Sequence, residues 1–226
     1  MKDRIKTAAI IYSRSDSTRL PKKAFLPFGK TNLISHVAER ASYINVDEII
    51  LATTDRDCDA QYDSILDDGH LNKTKKIKIF RGSCDDVVSR TIAALNKHKI
   101  DRFCRINGDC PFFPYNHINN FLYNTNFSFI NNIRHRSFPY GLSIEILDTN
   151  FYIENSKNVD EHFKEHVTQH LYNHDKFFRE KCISLKEVNR NYILNRDRFV
   201  IDTADDYNFW VERLASDSIK TNTIFL

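Results

Sequence analysis

Glycine is scarce in this sequence. The 226 residues include five glycines, Gly29, Gly69, Gly82, Gly108 and Gly141, and no two of them are close enough to form a glycine-rich phosphate loop. A dinucleotide-binding fold needs G-x-G-x-x-G after its first strand, and a Walker loop needs G-x-x-x-x-G-K-[ST]. The lack of both patterns excludes these two ways of binding phosphate through backbone amides.

Paired cysteines and long hydrophobic runs are also lacking. The five cysteines are odd in number, widely spaced and never form C-x-x-C, which favours reduced thiols over a disulfide framework or a zinc site. Charged residues break every apolar stretch within a few residues, so no membrane-spanning segment is predicted. The N-terminus "MKDRIKTAAI" has too short an apolar region for a secretory signal. We therefore expect a cytoplasmic protein with no membrane partner.

Basic residues exceed acidic residues only slightly in the whole sequence, but they are concentrated in one segment. The formal net charge is +3, from 33 basic and 30 acidic residues, which is too small to indicate nucleic acid as a partner. The stretch "SRSDSTRLPKK" at 13–23 nevertheless contains four basic residues, Arg14, Arg19, Lys22 and Lys23, against the single acid Asp16. This segment, called the basic loop below, directly follows an apolar run.

Short apolar runs alternate with helical periods in the first half of the chain. Four runs have the length and composition of strands: 7–12, 48–54, 77–80 and 102–107. Apolar residues with helical spacing lie between them, beginning at Leu33 and at Val87. This order predicts a single α/β domain with βαβ units, right-handed crossovers and a mostly parallel, Rossmann-like sheet.

The second half of the chain has a different pattern. Residues 126–150 alternate polar and apolar and predict a pair of antiparallel strands, 160–174 predict a helix, and 178–188 predict a further strand. We interpret roughly 130–190 as an inserted lobe. The chain then returns with "FVIDTADDYNFWVERL", a short strand followed by a helix, for which Thr203 and Asp206 resemble a capping box.

The basic loop occupies the place where open α/β sheets bind ligands, beyond the carboxyl end of the first strand. Arginine and lysine side chains neutralise phosphate oxygens, and Ser17 and Thr18 add hydroxyl donors, so a triphosphate fits this composition. A solvated basic surface loop is the alternative.

Two carboxylates favour the phosphate interpretation. Asp109 in "NGDCP" follows the fourth strand, and Asp202 in "VIDTADD" follows the last one. Paired carboxylates together with substrate phosphates are the usual way in which proteins hold Mg²⁺. Asp202 alone has an alternative role as a helix cap, because a helix follows it. Together with the basic loop, the two acids predict a metal-assisted phosphoryl or nucleotidyl transfer site.

An ordered series of motifs resembles a known family. The segments "RSDSTRLPKK", "ATTD", "IFRGSCDDVVSR", "RINGDCP", "EHVT" and "VIDTADD" resemble the SpsF-type cytidylyltransferases of surface polysaccharide synthesis, which are related to the CMP-sialic acid and CMP-Kdo synthetases. The matches extend from residue 10 to about residue 210. The resemblance implies a nucleotide-diphospho-sugar transferase type of fold, in which the inserted lobe serves dimerisation and acceptor binding.

The resemblance also implies a set of nucleotide-binding residues. Arg14, Ser17, Arg19 and Lys23 match the loop that holds the nucleotide phosphates, and Arg14, Arg19, Lys23 and Asp109 would be catalytic. Asp109 and Asp202 match the two carboxylates that bind Mg²⁺. Arg81 would lie near the nucleobase, with Thr53 and Asp55 near the base or the ribose.

Acceptor binding and assembly are implied as well. The segments "IRHRSFPYGLSIE" and "EHVT" give Arg134, Arg136, Tyr140, Glu145 and His166 as residues that would bind a small anionic acceptor. The alternatives are a charged, exposed hairpin edge for the two arginines and dimer packing for His166. The resemblance implies CTP as the triphosphate and a homodimer as the assembly.

The sequence departs from the family pattern at four positions. The family loop usually has glycine where Asp16 and Lys22 stand here, and acids where Tyr140 and Ser143 stand. Asp16 adds a negative charge to the phosphate site, which weakens nucleotide binding unless Arg14 or Arg19 neutralises it.

Two other functions remain open on the sequence alone. A GT-A-like glycosyltransferase would use a DxD metal motif, which "DRDCD" at 55–59 contains, and a non-catalytic nucleotide-binding homologue would bind without turnover. Histidines recur every four residues from His162 to His174, a spacing at which histidine pairs can bind zinc. No nearby cysteine and no H-E-x-x-H motif supports a zinc site there.

Overall fold

The computed structural model describes residues 4–65, 77–184 and 198–215. Within these ranges the chain forms nine strands and five α-helices. The strands are β1 (Thr7–Tyr12), β2 (Pro27–Phe28), β3 (Thr31–Asn32), β4 (Glu48–Thr54), β5 (Ile77–Gly82), β6 (Arg102–Asn107), β7 (Phe129–Asn131), β8 (Glu145–Asp148) and β9 (Glu180–Cys182). The α-helices are α1 (Leu33–Ala41), α2 (Val87–His98), α3 (Tyr115–Leu122), α4 (Thr149–Asn155) and α5 (Ala204–Ala215).

Seven of the strands form one sheet in the order β5-β4-β1-β6-β8-β7-β9. The pairs β5–β4, β4–β1 and β1–β6 are all parallel, and β8 runs antiparallel to both β6 and β7. This confirms the predicted mostly parallel α/β sheet, including the four strands of the first half and the antiparallel pair within 126–150. Strands β2 and β3 form a separate antiparallel pair.

Helices cover both faces of the parallel strands. Every residue of β1 is buried, and alternate residues belong to two different clusters: Ile11 packs with the apolar face of α1, and Ile10 packs with that of α2. Strands buried on both faces are expected to be continuously apolar, as "TAAIIY" is. Both helices begin with a side-chain cap. The side chain of Asn32 accepts a hydrogen bond from the backbone N–H of Ser35, and that of Asp86 accepts one from the N–H of Ser89.

The region 130–190 continues the main sheet in its described part. Strand β7 pairs in parallel with β9, and β8 joins both β7 and β6, so these three strands form the far edge of the sheet. The strand predicted at 178–188 is shorter, Glu180–Cys182, and residues 185–188 lie outside the described residues. The role of this region as a separate lobe stays a prediction.

The single helix predicted over 160–174 was wrong. Two short 3-10 helices occur instead, Glu161–Phe163 and Gln169–Asn173. Between them Val167 and Thr168 are buried, and the carbonyl of Lys164 accepts a hydrogen bond from the N–H of Val87 at 2.7 Å. The chain leaves the helical path because these residues pack inward, so the four histidines do not form one stripe.

The short strand predicted before α5 was also wrong. Residues 199–202 form no strand, and the preceding Arg198 makes only an isolated bridge with Tyr140. The N–H of Phe199 donates to the carbonyl of Tyr140, and the N–H of Ile201 donates to that of Asp109. Asp202 is therefore positioned by the loops beside β6 rather than by a strand ladder.

Candidate active site

The predicted loops meet at one edge of the sheet. Tyr12, the last residue of β1, is in register with Ala52 of β4 and with Asn107 of β6. The basic loop and the segment that begins at Gly108 therefore leave the sheet side by side at its carboxyl edge, where such sheets bind ligands.

The basic loop is fixed to the segment that follows β4. The backbone N–H of Ser15 donates to the carboxylate of Asp59 at 2.8 Å, and the hydroxyl of Thr54 donates to the same group. Ser15 and Asp59 are both buried. Asp59, the last acid of the DxD-like segment, thus holds the loop in place, which does not favour a glycosyltransferase metal motif there.

Lys23 connects the two carboxylates that were predicted to bind metal. Its ammonium nitrogen lies 2.7 Å from Oδ2 of Asp109 and 3.2 Å from Oδ1 of Asp202. Burial lowers the pKa of Lys23, but the two carboxylates outweigh burial and raise the pKa above its ordinary value. Arg19 forms an ion pair with the other carboxylate oxygen of Asp202. Two acids from distant parts of the chain therefore direct oxygens to one cation.

A close backbone approach places Asp109 in this site. The N–H of Gly108 donates to the carbonyl of Tyr12 at 2.9 Å, and a Cβ at Gly108 would lie 2.8 Å from Cβ of Ser13 and 2.9 Å from that carbonyl oxygen. Only glycine allows this distance. The glycine in "NGDCP" thus brings Asp109 next to the basic loop.

Thr203 and Asp206, rather than Asp202, cap the start of α5. The carboxylate of Asp206 accepts from the N–H groups of Asp202 and Thr203, and its own N–H donates to the hydroxyl of Thr203 at 3.2 Å. Burial opposes ionisation of Asp206, but these hydrogen bonds outweigh it and lower the pKa. The predicted capping box is confirmed, and the side chain of Asp202 is left to face Lys23 and Arg19.

Two adjoining cavities open at this edge of the sheet. The larger, about 390 Å³, is lined by the basic loop, the start of α2 and the segment 107–109. The smaller, about 260 Å³, is lined by residues from β8 and from 166–172. Both cavities share one set of lining residues: Arg19, Arg105, Asn107, Asp109, Tyr140, His166 and Asp202. The predicted carboxylate pair lies where the two cavities meet.

Most predicted site residues line these cavities. The larger one is lined by the predicted phosphate-binding residues, which are Arg14, Ser17, Arg19 and Lys23. The smaller one is lined by four of the five predicted acceptor residues, which are Arg136, Tyr140, Glu145 and His166.

Three residues predicted near the base or ribose do not line either cavity. Thr53 is fully buried within β4, and Asp55 is exposed with its N–H bonded to the carbonyl of Gly82. The guanidinium of Arg81 donates to the carbonyls of Thr54 and Asp59 and pairs with Asp63 at 2.9 Å. The binding roles of these residues stay predictions, and the contacts of Asp55 and Arg81 are structural.

Arg134 also lies outside the smaller cavity. Its Nε donates to Glu180 at 2.7 Å, and its Nη groups donate to the carbonyls of Leu171 and His174. It therefore fastens the 171–174 segment to β9, and its acceptor-binding role stays a prediction.

The floor of the smaller cavity is a buried charged network. Glu145 is 1% exposed, pairs with Arg105, and accepts hydrogen bonds from the hydroxyls of Thr168 at 2.5 Å and Tyr172 at 2.9 Å. Burial lowers the pKa of Arg105, but Glu145 outweighs burial and raises it. Sequence reasoning missed Arg105, Thr168 and Tyr172. A charged residue inside the buried strand "RFCRIN" was the one signal that pointed to Arg105.

Comparison with known proteins decides the family. A model of the cytidylyltransferase family matches residues 8–217. The chain belongs to the cytidylyltransferase family. The resemblance inferred from the motifs is confirmed, and with it the prediction of a nucleotidyltransferase.

Individual relatives agree with this assignment. The spore coat polysaccharide biosynthesis protein SpsF of Bacillus subtilis (strain 168) is 27% identical over 210 residues, which cover 88% of this chain and 82% of the relative. A cytidylyltransferase from Leptospira borgpetersenii has a similar structure, with a TM-score of 0.80, 26% identity, and coverage of 94% and 88% of the two chains. A CMP:2-keto-3-deoxy-manno-octonic acid synthetase solved with CTP shares the fold, with a TM-score of 0.66, 16% identity, and coverage of 94% and 99%.

The structure explains two departures of this cytidylyltransferase from the family loop. Lys22 has a φ of 54°, in the left-handed region that favours the usual glycine. Asp16 lies 3.1 Å from Arg14 and 2.6 Å from Arg56, so its negative charge is neutralised by one predicted partner and one that the sequence did not suggest. Asp16 does not pair with Arg19 among the described contacts.

Tyr140, another departure, lies at the junction of the two cavities of this cytidylyltransferase. Its ring centroid is 5.1 Å from the guanidinium carbon of Arg136 and 5.4 Å from that of Arg198. Gly141 next to it has a φ of 96°, and a Cβ there would lie 2.4 Å from the carbonyl oxygen of Phe199. This close approach holds Tyr140 against the segment that carries Asp202.

Proposed function

We propose that this chain is a Mg²⁺-dependent cytidylyltransferase that transfers CMP from CTP to a small anionic acceptor, with release of pyrophosphate, for surface glycan synthesis. The observation that carries the proposal is the convergence of Asp109, Asp202 and Lys23 where the two cavities meet. This arrangement lets a nucleotide and an acceptor approach the same point from opposite sides.

The larger cavity suits the triphosphate. Arg14, Arg19 and Lys23 supply cationic groups, and Ser17 supplies a hydroxyl. These groups orient the phosphates and offset the negative charge that accumulates on the leaving pyrophosphate. The choice of CTP rests on the family and is supported by the fold shared with a synthetase solved with CTP.

The carboxylate pair fits a hard divalent cation. Asp109 and Asp202 already direct oxygens to one ammonium group, and oxygen ligands with substrate phosphates are what Mg²⁺ prefers. When bound, Mg²⁺ would act as a Lewis acid on the phosphate oxygens.

The reaction itself is a displacement at the α-phosphorus. An acceptor oxygen in the smaller cavity attacks this phosphorus, and the bond from it to the oxygen that leads to the β-phosphate breaks. Pyrophosphate then leaves through the larger cavity. The chain contributes mainly orientation and charge compensation, because the ionised oxygen of a phosphate acceptor needs no general base. A hydroxyl acceptor would in addition release its proton to solvent water as the new bond to phosphorus forms.

The smaller cavity supports an anionic acceptor. Arg105 and Arg136 line it, and the carboxylate of Glu145 is already neutralised by Arg105. Arginine suits the planar oxygen pairs of carboxylates and phosphates. The printed name of the SpsF relative supports a sugar or sugar acid of a surface polysaccharide as the acceptor class.

Pyrophosphate release from CTP, measured with a panel of sugar acids and sugar phosphates, tests this function. We expect turnover with at least one anionic acceptor, dependence on added Mg²⁺, and loss of turnover in Asp109→Asn. Asp205→Asn is the matched control, because Asp205 is exposed on the first turn of α5. Sugar transfer from a nucleotide sugar, without pyrophosphate release from any triphosphate, would contradict the proposal.

We further propose that the enzyme is a homodimer, that it works in the cytoplasm and that it has no nucleic acid partner. No helix in the described parts of the chain is both long enough and apolar enough to cross a membrane. Sedimentation equilibrium of the pure protein tests the dimer, with the 130–190 region as the expected contact.

A further inference from the structure

Arg90 is a buried cation in the wall of the larger cavity. It lies on α2 and is 3% exposed, and its Nη1 donates to the carbonyl of Ser83 at 2.8 Å. Its Nε is buried and has no hydrogen-bond partner among the described residues. Nor does any carboxylate of the described residues form an ion pair with it, so most of its donors are left without a protein acceptor.

Such a side chain is costly to bury. Removing a guanidinium from water without a paired acid is strongly unfavourable, and an unsatisfied buried donor adds to the cost. Burial lowers the pKa of Arg90, and the weaker electrostatic effects of neighbours such as Tyr12 and Asp59 do not offset it. A buried cation with unused donors in a cavity wall indicates a missing acceptor from a ligand.

The position of Arg90 identifies which part of the ligand it meets. Arg90, Val87 and Tyr12 line the larger cavity and do not line the smaller one. Asp109 and Asp202, where the reaction is proposed to occur, line both. Arg90 therefore belongs to the part of the larger cavity that is not shared with the acceptor, which Arg14, Ser17 and Lys23 also line. Within this part Arg90 lies on the α2 side, and we place the nucleoside there, away from the phosphates at Lys23.

The stem of Arg90 is guided to this position by the end of β5. A Cβ at Gly82 would lie 3.1 Å from Cγ of Arg90, so the absence of a side chain at Gly82 lets the arginine cross the strand end. Arg81, the residue predicted to approach the base, is directed instead to Thr54, Asp59 and Asp63.

We propose that Arg90 binds the cytosine ring by donating hydrogen bonds to O2 and N3, and that it selects cytosine over uracil. A guanidinium only donates. Cytosine presents an acceptor at N3, whereas uracil presents a donor there, which a guanidinium repels. This inference rests on the proposed function, since it names the residue that recognises the base of the proposed substrate.

Calorimetric titration with CTP, UTP and inorganic tripolyphosphate, each with Mg²⁺, tests the inference. In Arg90→Met we expect CTP affinity to fall about 10- to 100-fold, as for loss of hydrogen bonds to a charged donor. Tripolyphosphate affinity should stay unchanged, and the preference for CTP over UTP should disappear. Arg90→Lys keeps the charge but lacks the planar fork, so it should lose the preference too.

Two controls separate a binding role from a structural one. Lys97→Met removes a cation from the exposed side of the same helix and should leave all three affinities unchanged. The melting temperature of ligand-free Arg90→Met should not fall, because the variant removes an uncompensated buried charge. A large fall would indicate a structural role and overturn the inference.

The remaining outcomes are also decisive. Equal losses for CTP and tripolyphosphate would make Arg90 a phosphate ligand and overturn the inference, as would unchanged CTP affinity in Arg90→Met. If the wild-type chain binds no CTP, the proposed function fails together with the inference. If it binds CTP and Arg90→Met binds CTP equally well, only the inference fails.

Discussion

The ammonium nitrogen of Lys23 lies 2.7 Å from a carboxylate oxygen of Asp109, although 86 positions separate the two residues in the chain. The same nitrogen is 3.2 Å from Asp202. The relationship depends on Gly108, which allows the segment after β6 to touch the end of β1. Removing any one of these parts should therefore disturb the site in its own measurable way.

Removing the lysine leaves two acids facing each other. We expect Lys23→Met to lower the melting temperature of the ligand-free protein, and we expect added Mg²⁺ to restore part of it by replacing the lost cation. Affinity for tripolyphosphate should fall by about 1.5 to 3 kcal/mol, the range for a hydrogen bond to a charged group. Thermal melting and calorimetry measure these effects.

Lys22→Met is the matched control for that variant. Lys22 is the adjacent residue, is exposed, and lines neither cavity. If both variants lose tripolyphosphate affinity equally, the effect comes from the net charge of the basic loop and the assigned role of Lys23 is wrong.

Adding a methyl group at Gly108 should separate the two loops. In Gly108→Ala the new Cβ would clash with Ser13 and with the backbone of Tyr12, at 2.8 and 2.9 Å. We expect the free energy of unfolding to fall by about 1 to 3 kcal/mol, the range for overpacking, together with a loss of CTP binding. Urea unfolding and calorimetry check both effects, and a stable variant with normal CTP affinity would show that the close approach is unimportant.

The negative charge of Asp16 predicts that two substitutions change the affinity for tripolyphosphate in opposite directions. Asp16→Gly frees Arg14 from its ion pair and should raise affinity for tripolyphosphate, whereas Arg56→Met leaves Asp16 with Arg14 alone and should lower it. Because these pairs are exposed to solvent, both effects should be small and should shrink at high salt. Changes of the same sign in both variants would show that Arg56 does not act through Asp16.

The buried histidine His170 predicts a loss of stability in acid. Burial, with a smaller effect from His174, lowers the pKa of His170 from 6.5 to about 4. The folded protein therefore keeps the ring neutral while the unfolded chain takes up a proton. The resulting contribution to stability is present above pH 6.5 and is lost as the pH falls towards 4. NMR titration of the ring checks the pKa, and a midpoint near 6.5 would contradict its burial in the folded state.

Much of the parallel sheet followed from local pattern. The runs at 7–12, 48–54 and 102–107 match β1, β4 and β6 because strands buried on both faces must be apolar throughout. The apolar spacing likewise identified α1 and α2. The helix predicted over 160–174 was wrong because the histidines and apolar residues there have helical spacing, whereas the inward packing of Val167 and Thr168 determines the path of the chain.

Residues of the site could be predicted where the order of motifs determined their position. The prediction was less successful where the position of a side chain depends on its hydrogen-bond partners in the fold. Asp109, Asp202 and Lys23 came together as expected. Arg81 and Arg134 did not reach the cavities, because each bonds to carbonyl groups more than 20 positions away that no local pattern reveals. Arg90 and Arg105 were overlooked for the same reason, since burial of an arginine depends on the surrounding fold.

The most direct test of the account is the melting temperature of the pure protein with CTP, UTP, GTP and ATP, with and without Mg²⁺. CTP at about a hundred times its Kd adds about 2.7 kcal/mol of stability, which corresponds to roughly 5 to 10 °C for a chain of this length. The account predicts a Mg²⁺-dependent shift that is largest with CTP and is lost in Asp202→Asn. The account would be contradicted if no triphosphate raised the melting temperature. It would also be contradicted if the shift were the same without Mg²⁺ and in Asp202→Asn.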